Sequence, residues 1–153
     1  MKKSAGILVF RKKRILELFL VHPGGPFWEK KDNNSWSIPK GEIKENEDIL
    51  ETALREFKEE TGVDLYKDKE KIFYLGEFKS NYKILYVFAI EKDLKNIKIK
   101  SNILETNWPP YSNKKIKIPE IDKGGYFDIE TAKEKLVNYQ KPIIDELKTY
   151  LQN

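Results

Sequence analysis

An α/β domain is what this sequence predicts, and three observations predict it. Runs rich in β-branched and aromatic residues recur at 4–10, 15–22, 72–78 and 83–91, each bounded by turn formers. A stretch opening at Glu47 repeats its apolar residues at helical spacing. The chain closes on two further segments that begin with helix-start signals, Asp128 and Pro142. With 153 residues and no repeat or low-complexity linker, residues 1–153 are expected to form one domain around one core.

SAGILVF (4–10) and ILELFLVH (15–22) read as two strands joined by the basic turn RKKR. In the second, Leu16, Leu18 and Leu20 alternate with Glu17, Phe19 and Val21, which predicts one buried face and one mixed face. From His22 to Trp36 the chain is dense in turn residues. Gly24-Gly25 lacks the lysine and hydroxyl of a phosphate loop and reads as a turn. His22 reads as a strand-end residue, with contact to a substrate as its other reading. Phe27 and Trp28 either stack on a base or pack beneath their loop. IFYLGEF (72–78) and KILYVFAIE (83–91) form a hairpin through Ser80-Asn81-Tyr82. Residues 101–125 read as one long irregular loop, a length usually reserved for function. Its Trp108-Pro109-Pro110-Tyr111 is a stiff aromatic wall for a base or a packed cluster. Asp128 caps DIETAKEKL, and Pro142 opens a last helix with Ile143, Leu147 and Leu151 on one stripe. Nothing in this closing region suggests chemistry.

Composition removes several chemistries. There is no cysteine, which excludes disulfides, thiol catalysis and zinc–thiolate clusters and fits a cytoplasmic protein. His22 is the single histidine, so serine–histidine catalysis has one base and no supporting motif. No apolar run approaches the roughly 18 residues a membrane helix needs. The apolar part of MKKSAGILVFRKKR is too short for a signal-peptide core. Net charge is +4, from 29 basic and 25 acidic residues, without a basic block that would mark general nucleic-acid binding. Metal held by oxygen ligands is nearly the only hydrolytic chemistry left.

The helix supplies those ligands. Ile49, Ala53 and Phe57, widened by Leu50 and Leu54, form its apolar stripe. Glu56, Glu59 and Glu60 share an adjacent arc. Like charges one turn apart cost a few tenths of a kcal/mol, and the helix dipole disfavours anions at this end. A helix built only for stability would carry lysines there. Three crowded carboxylates read as a cradle for a divalent cation.

Around them the spacing is fixed: Gly41, five residues, Glu47, seven residues, Arg55-Glu56-Phe57, one residue, Glu59-Glu60, one residue, Gly62-Val63. This resembles the Nudix box at every fixed position, and through it the chain is identified as a member of the Nudix hydrolases. The resemblance implies an α/β/α sandwich with a mixed central sheet, acting on a nucleoside diphosphate linked to some group X. It implies Mg²⁺ or Mn²⁺ held by Glu56, Glu59 and Glu60, with Gly41 letting its backbone approach the metal. Arg55 would hold a carboxylate in a bidentate fork, Glu47 would meet the amides at the helix start, and Gly62 would end the helix in a left-handed cap.

The flanks resemble the family more loosely. Trp36 before Pro39-Lys40-Gly41 resembles the diadenosine polyphosphate branch, with Lys40 beside the metals and the phosphates. Lys83 resembles that branch's phosphate-binding strand lysine, and Tyr82 and Trp108, with Trp28, are the base-stacking candidates. Glu120 lies six residues before Tyr126, where related hydrolases place a glutamate before a Trp; it would complete the metal site or act as general base. Glu105 is the other candidate base outside the box. The expected reaction splits diadenosine tetraphosphate into ATP and AMP. The alternatives are a nucleoside triphosphate pyrophosphohydrolase that clears oxidised nucleotides, an enzyme of RNA 5′ ends, and a nucleotide-sensing regulatory domain without chemistry. The expected partner is a small nucleotide, with no membrane, and the chain acts as a monomer or homodimer.

Overall fold

In the computed structural model, residues 1–95 and 97–153 are described. The central sheet places residues 73–79, 83–91, 2–12, 16–23 and 121–128 side by side in that order. These strands are β1 (Lys2–Lys12), β2 (Leu16–Pro23), β4 (Phe73–Lys79), β5 (Lys83–Glu91) and β8 (Ile121–Asp128). β1 and β5 are parallel, from Lys2 opposite Lys83 to Phe10 opposite Glu91, while the other neighbours are antiparallel. The sheet is therefore mixed, and helices cover both faces.

Period-two alternation sorts the strands onto those faces. Ala5, Ile7, Val9, Phe19, Val21 and Ile90 face α1 (Ile49–Thr61), which buries Ala53, Leu54 and Phe57 against them. Leu8, Phe10, Leu18, Leu20, Leu85 and Val87 face α2 (Ile129–Lys135) and α3 (Pro142–Gln152), which supply Ala132, Ile143, Ile144 and Leu147. Each large side chain buried this way contributes about 1.5–3 kcal/mol. The result is an α/β/α sandwich. The face of β2 expected to be mixed is buried beyond Glu17, because α1 lies across Phe19 and Val21.

One departure from a simple hairpin positions the site. β1 pairs with β2 only at Phe10, Arg11 and Lys12, so two residues of the expected RKKR turn belong to strand. Farther along, the two strands part, and the segment 36–42 enters between them. Ser37 exchanges both backbone hydrogen bonds with Val21, at 2.8 and 3.0 Å. β3 (Lys40–Glu42) pairs with β1, Gly41 opposite Ala5. This wedge carries Lys40 and Gly41 to the end of the sheet beside the last turns of α1.

The expected loop 101–125 is largely structured. β6 (Ile103–Asn107) and β7 (Lys115–Pro119) form a separate hairpin, and β8 already begins at Ile121. KIKIP carries the alternation that drives this, but the surrounding Asn, Pro and Ser mask it in the sequence. The 80–82 turn, the Asp128 cap (2.8 Å to the Thr131 amide) and the helix opened by Pro142 are as the sequence predicts. Among the described residues no helix is long and apolar enough to cross a membrane.

Candidate active site

α1 begins at Asp48, whose carboxylate accepts from the Glu51 amide at 2.8 Å, and ends at Gly62, whose φ of +83° makes the left-handed cap. The cap is therefore Asp48, not Glu47. Glu47 turns instead to the side chains of the helix, accepting from Thr52 Oγ1 at 2.7 Å and from both Nε and Nη2 of Arg55 at 2.8 and 2.9 Å. That fork holds the Glu47 carboxyl down at about 2, far below its usual range. Arg55 uses its remaining hydrogens on Glu56 (2.7 Å), Glu59 (3.2 Å) and the Glu42 carbonyl (3.1 Å). One guanidinium thus braces three carboxylates and the strand beside them.

Carboxylate oxygens of Glu56, Glu60 and Glu120 lie within 4.8 Å of one another. Glu56 and Glu60 are buried, Glu120 half-buried. Burial pushes the Glu60 carboxyl up to about 8, against the opposing pull of Lys40, and burial raises Glu56 as well. Lys40 answers the cluster: its Nζ stands 3.8 Å from Glu60, its amide donates to Glu60 Oε1 at 3.3 Å, and the Glu60 charge raises its own pKa. Acidic oxygens forced together at this cost are the donor set that a hard divalent cation requires.

Gly41 fits the same reading. A Cβ built on it would fall within 3.0 Å of the Glu56 carboxylate carbon and both its oxygens. The missing side chain makes room for the Glu56 carboxylate. Gly41→Ala is expected to displace Glu56 and weaken Mg²⁺ binding at least tenfold, with folding retained; calorimetric titration with the metal checks this.

Glu59 stands apart from the cluster. Both its oxygens face Arg55 Nη1 at 3.2 Å, and the same nitrogen also holds Glu56. Glu105 is separated altogether. Leu104 and Thr106 face inward along β6, so Glu105 points outward, exposed and 3.5 Å from Lys115.

Two clefts meet at the acidic cluster, and Lys40 and Glu120 line both. The first, about 470 Å³, lies between the 23–28 loop and the β6–β7 hairpin, walled by Phe27, Trp28, Leu104, Trp108 and Ile118. The second, about 760 Å³, is lined by Lys2, Lys3, Lys44, Lys83, Glu56 and Tyr139. Trp28 and Trp108, distant in sequence, therefore share one wall system, and Lys83 faces the other cleft. Tyr82 lines neither: it is 78% exposed on the β4–β5 turn. Gly24 lies just before the bend at Gly25 and the turn at 26–30, and its amide donates to the Glu120 carbonyl at 3.0 Å, which ties the aromatic loop to the acidic cluster. His22 is fully buried, with its ring nitrogens 2.9 Å from Asp122 and 2.6 Å from the Lys31 carbonyl, so it does not reach a substrate. The closing region, read as purely structural, contributes Tyr139 to the lysine cleft. No periodicity could have found it, since it sits on a single turn between two helices.

The family model described as NUDIX domain matches residues 1–147. An RNA pyrophosphohydrolase of Bartonella henselae is 27% identical over 93% of this chain and 84% of its own length. An mRNA-decapping protein of African swine fever virus is 31% identical over 77% of this chain, which spans about half (48%) of that relative's length. Among solved structures, an Ap4A hydrolase of C. elegans superimposes with a TM-score of 0.64 at 17% identity, covering 97% of this chain and 98% of that one.

Proposed function

This chain belongs to the NUDIX domain family and is a hydrolase of phosphoric anhydrides, and from that premise we propose a metal-dependent enzyme for nucleoside polyphosphates. The observation that carries this is the placement of Glu56, Glu60 and Glu120 at the junction of an aromatic cleft and a lysine cleft. A base stacks between the walls formed by Trp28 and Trp108, and the phosphate chain passes Lys40 toward Lys3, Lys44 and Lys83. The group X beyond the broken bond is thus anionic. A dinucleoside polyphosphate such as diadenosine tetraphosphate meets that requirement, giving ATP and AMP.

Glu56, Glu60 and Glu120 would hold Mg²⁺ or Mn²⁺, which supplies a Lewis acid for the phosphate oxygens and acidifies water. The rest is the chain's own work. Arg55 keeps the carboxylates in register, and Lys40 balances charge that gathers on the bridging oxygen as its bond to phosphorus breaks. The attacking water gives its proton to a carboxylate, for which Glu59 and Glu120 are the candidates. Glu59 can serve because it lies outside the cluster.

A second reading is an RNA 5′ end. It is favoured by the two relatives named for RNA pyrophosphate and cap removal, and by a lysine cleft that would suit a longer polyanion. A substrate panel with Mg²⁺ and Mn²⁺ decides between them: diadenosine tetraphosphate, the triphosphates, an oxidised guanine triphosphate and a 5′-triphosphate RNA. ATP plus AMP at the highest kcat/KM supports the first reading. Faster release of pyrophosphate from RNA supports the second, and from a mononucleotide the housecleaning alternative. Silence throughout, with metal bound, turns the chain into a sensor. Whichever substrate wins, Trp108→Ala is expected to raise KM about tenfold, the loss of one base stack, while Tyr82→Ala leaves it unchanged. The opposite ranking in steady-state kinetics would reassign the base.

A further inference from the structure

Tyr139 lies on the short 3₁₀ turn Asn138–Gln140 between α2 and α3. Its neighbour Gln140 is fully buried, and every hydrogen bond of that amide can be assigned. Oε1 accepts from the Ile38 backbone N–H at 3.0 Å. A backbone N–H only donates, so this contact fixes which end of the amide is oxygen. The other end is NH₂, donating to Ser37 Oγ at 2.9 Å and to Tyr139 Oη at 3.0 Å. Ser37 passes its own proton to the Ile38 carbonyl at 2.6 Å. Tyr139 Oη is therefore an acceptor toward Gln140, and its phenolic proton has no acceptor among the described residues. The residue lines the lysine cleft with Lys40, Lys83 and Glu120, and Lys83 Nζ stands 5.8 Å from its ring centroid.

We infer that Tyr139 contacts the substrate, donating its phenolic hydrogen to a non-bridging phosphate oxygen, with Gln140 as the positioning residue that aims it. This rests on the nucleoside polyphosphate reading and adds a neutral donor to the lysines. The lysines are flexible point charges that tolerate many phosphate positions. A hydroxyl whose rotor is set by a buried amide accepts one position, and so fixes where the phosphate chain sits against the acidic cluster.

The test is binding, not turnover. The probe is an adenosine triphosphate analogue with a methylene group in place of the α–β bridging oxygen, titrated with Mg²⁺ present into wild type, Tyr139→Phe and Gln140→Met. Tyr139→Phe is expected to bind about tenfold more weakly, as befits one hydrogen bond to an anion, and to lose less thermal stability than Gln140→Met, since it unpairs a single hydrogen of the Gln140 amide. Gln140→Met, which keeps the hydroxyl but releases its rotor, is expected to lose a smaller factor, and the double variant no more than Tyr139→Phe alone. Equal affinity of Tyr139→Phe and wild type overturns the inference. So does a wild type that does not bind the analogue, or a Tyr139→Phe that loses as much thermal stability as Gln140→Met, which would make the hydroxyl a structural lock. The substrate panel, read separately on wild type, shows whether the functional reading itself has failed.

Discussion

Glu60→Gln is expected to make the metal-free protein more stable at pH 8.5 and nearly inactive. Glu60 is 1% exposed and shares its space with Glu56 and Glu120. Its carboxyl, pushed by burial to about 8 against an ordinary 4.5, keeps its proton in the folded state long after the unfolded chain has lost it. A raised folded pKa gives stability that is fully present below the unfolded value and lost as pH rises through the folded one. Metal-free wild type should therefore lose a few kcal/mol between about pH 4.5 and pH 8. Glutamine keeps the shape without the titration, so the variant should show a shallower profile across that window, with the raised Glu56 carboxyl supplying what slope remains.

Turnover moves the other way. Removing one of the three carboxylates proposed to hold the metal is expected to cut kcat/KM about a thousandfold with Mg²⁺ present. Thermal midpoints of the two metal-free proteins at pH 5 and 8.5, with rates beside them, check both halves. A variant less stable than wild type at pH 8.5, or one within tenfold of wild-type activity, would remove Glu60 from the metal site.

Arg55→Ala is the second large effect, and here stability and activity fall together. The Arg55 side chain is 22% exposed, and its guanidinium is bonded to Glu47, Glu56, Glu59 and the Glu42 carbonyl. Its loss leaves carboxylates crowded without their counter-charge, which should cost about 3 kcal/mol. The freed carboxylates shift out of register, and displacement on the scale of an ångström is worth about a hundredfold in rate. Arg55→Lys should recover little, because an ammonium cannot fork onto Glu47 while also reaching Glu56. The acid limb gives a separate signature. Glu47, depressed to about 2 by this pairing, contributes stability above its ordinary 4.5 that is lost as pH falls toward 2. In Arg55→Ala the largest part of that contribution is gone, leaving the Thr52 hydroxyl and the Lys44 amide, so urea midpoints should depend less on pH between about 5 and 2. An unchanged acid limb would mean that the fork does not control Glu47.

The features legible before any folding are those written in local spacing. The stripe of Ile49, Ala53 and Phe57 is a helix because its period is a helix's. The alternation through β1, β2 and β5 gives strands for the same reason, and Gly62 ends α1 where a left-handed residue is needed. The spacing from Gly41 to Val63 carried the family because each position has a local task. Spacing could also place three glutamates on one arc, but it could not say which of them burial would select. That came from the wedge of β3 against α1, which encloses Glu56 and Glu60 and leaves Glu59 to Arg55. Glu120 joins Glu60, far away along the chain, because β8, which begins at the next residue, packs against α1. Trp28 and Trp108 become facing walls only because the β6–β7 hairpin stands off the main sheet, and Tyr139 becomes a donor only because Gln140 is locked to the wedge. Local periodicity is set by backbone geometry within one or two turns. Which side chains share a cleft is set by packing between elements, and no spacing along the chain encodes that.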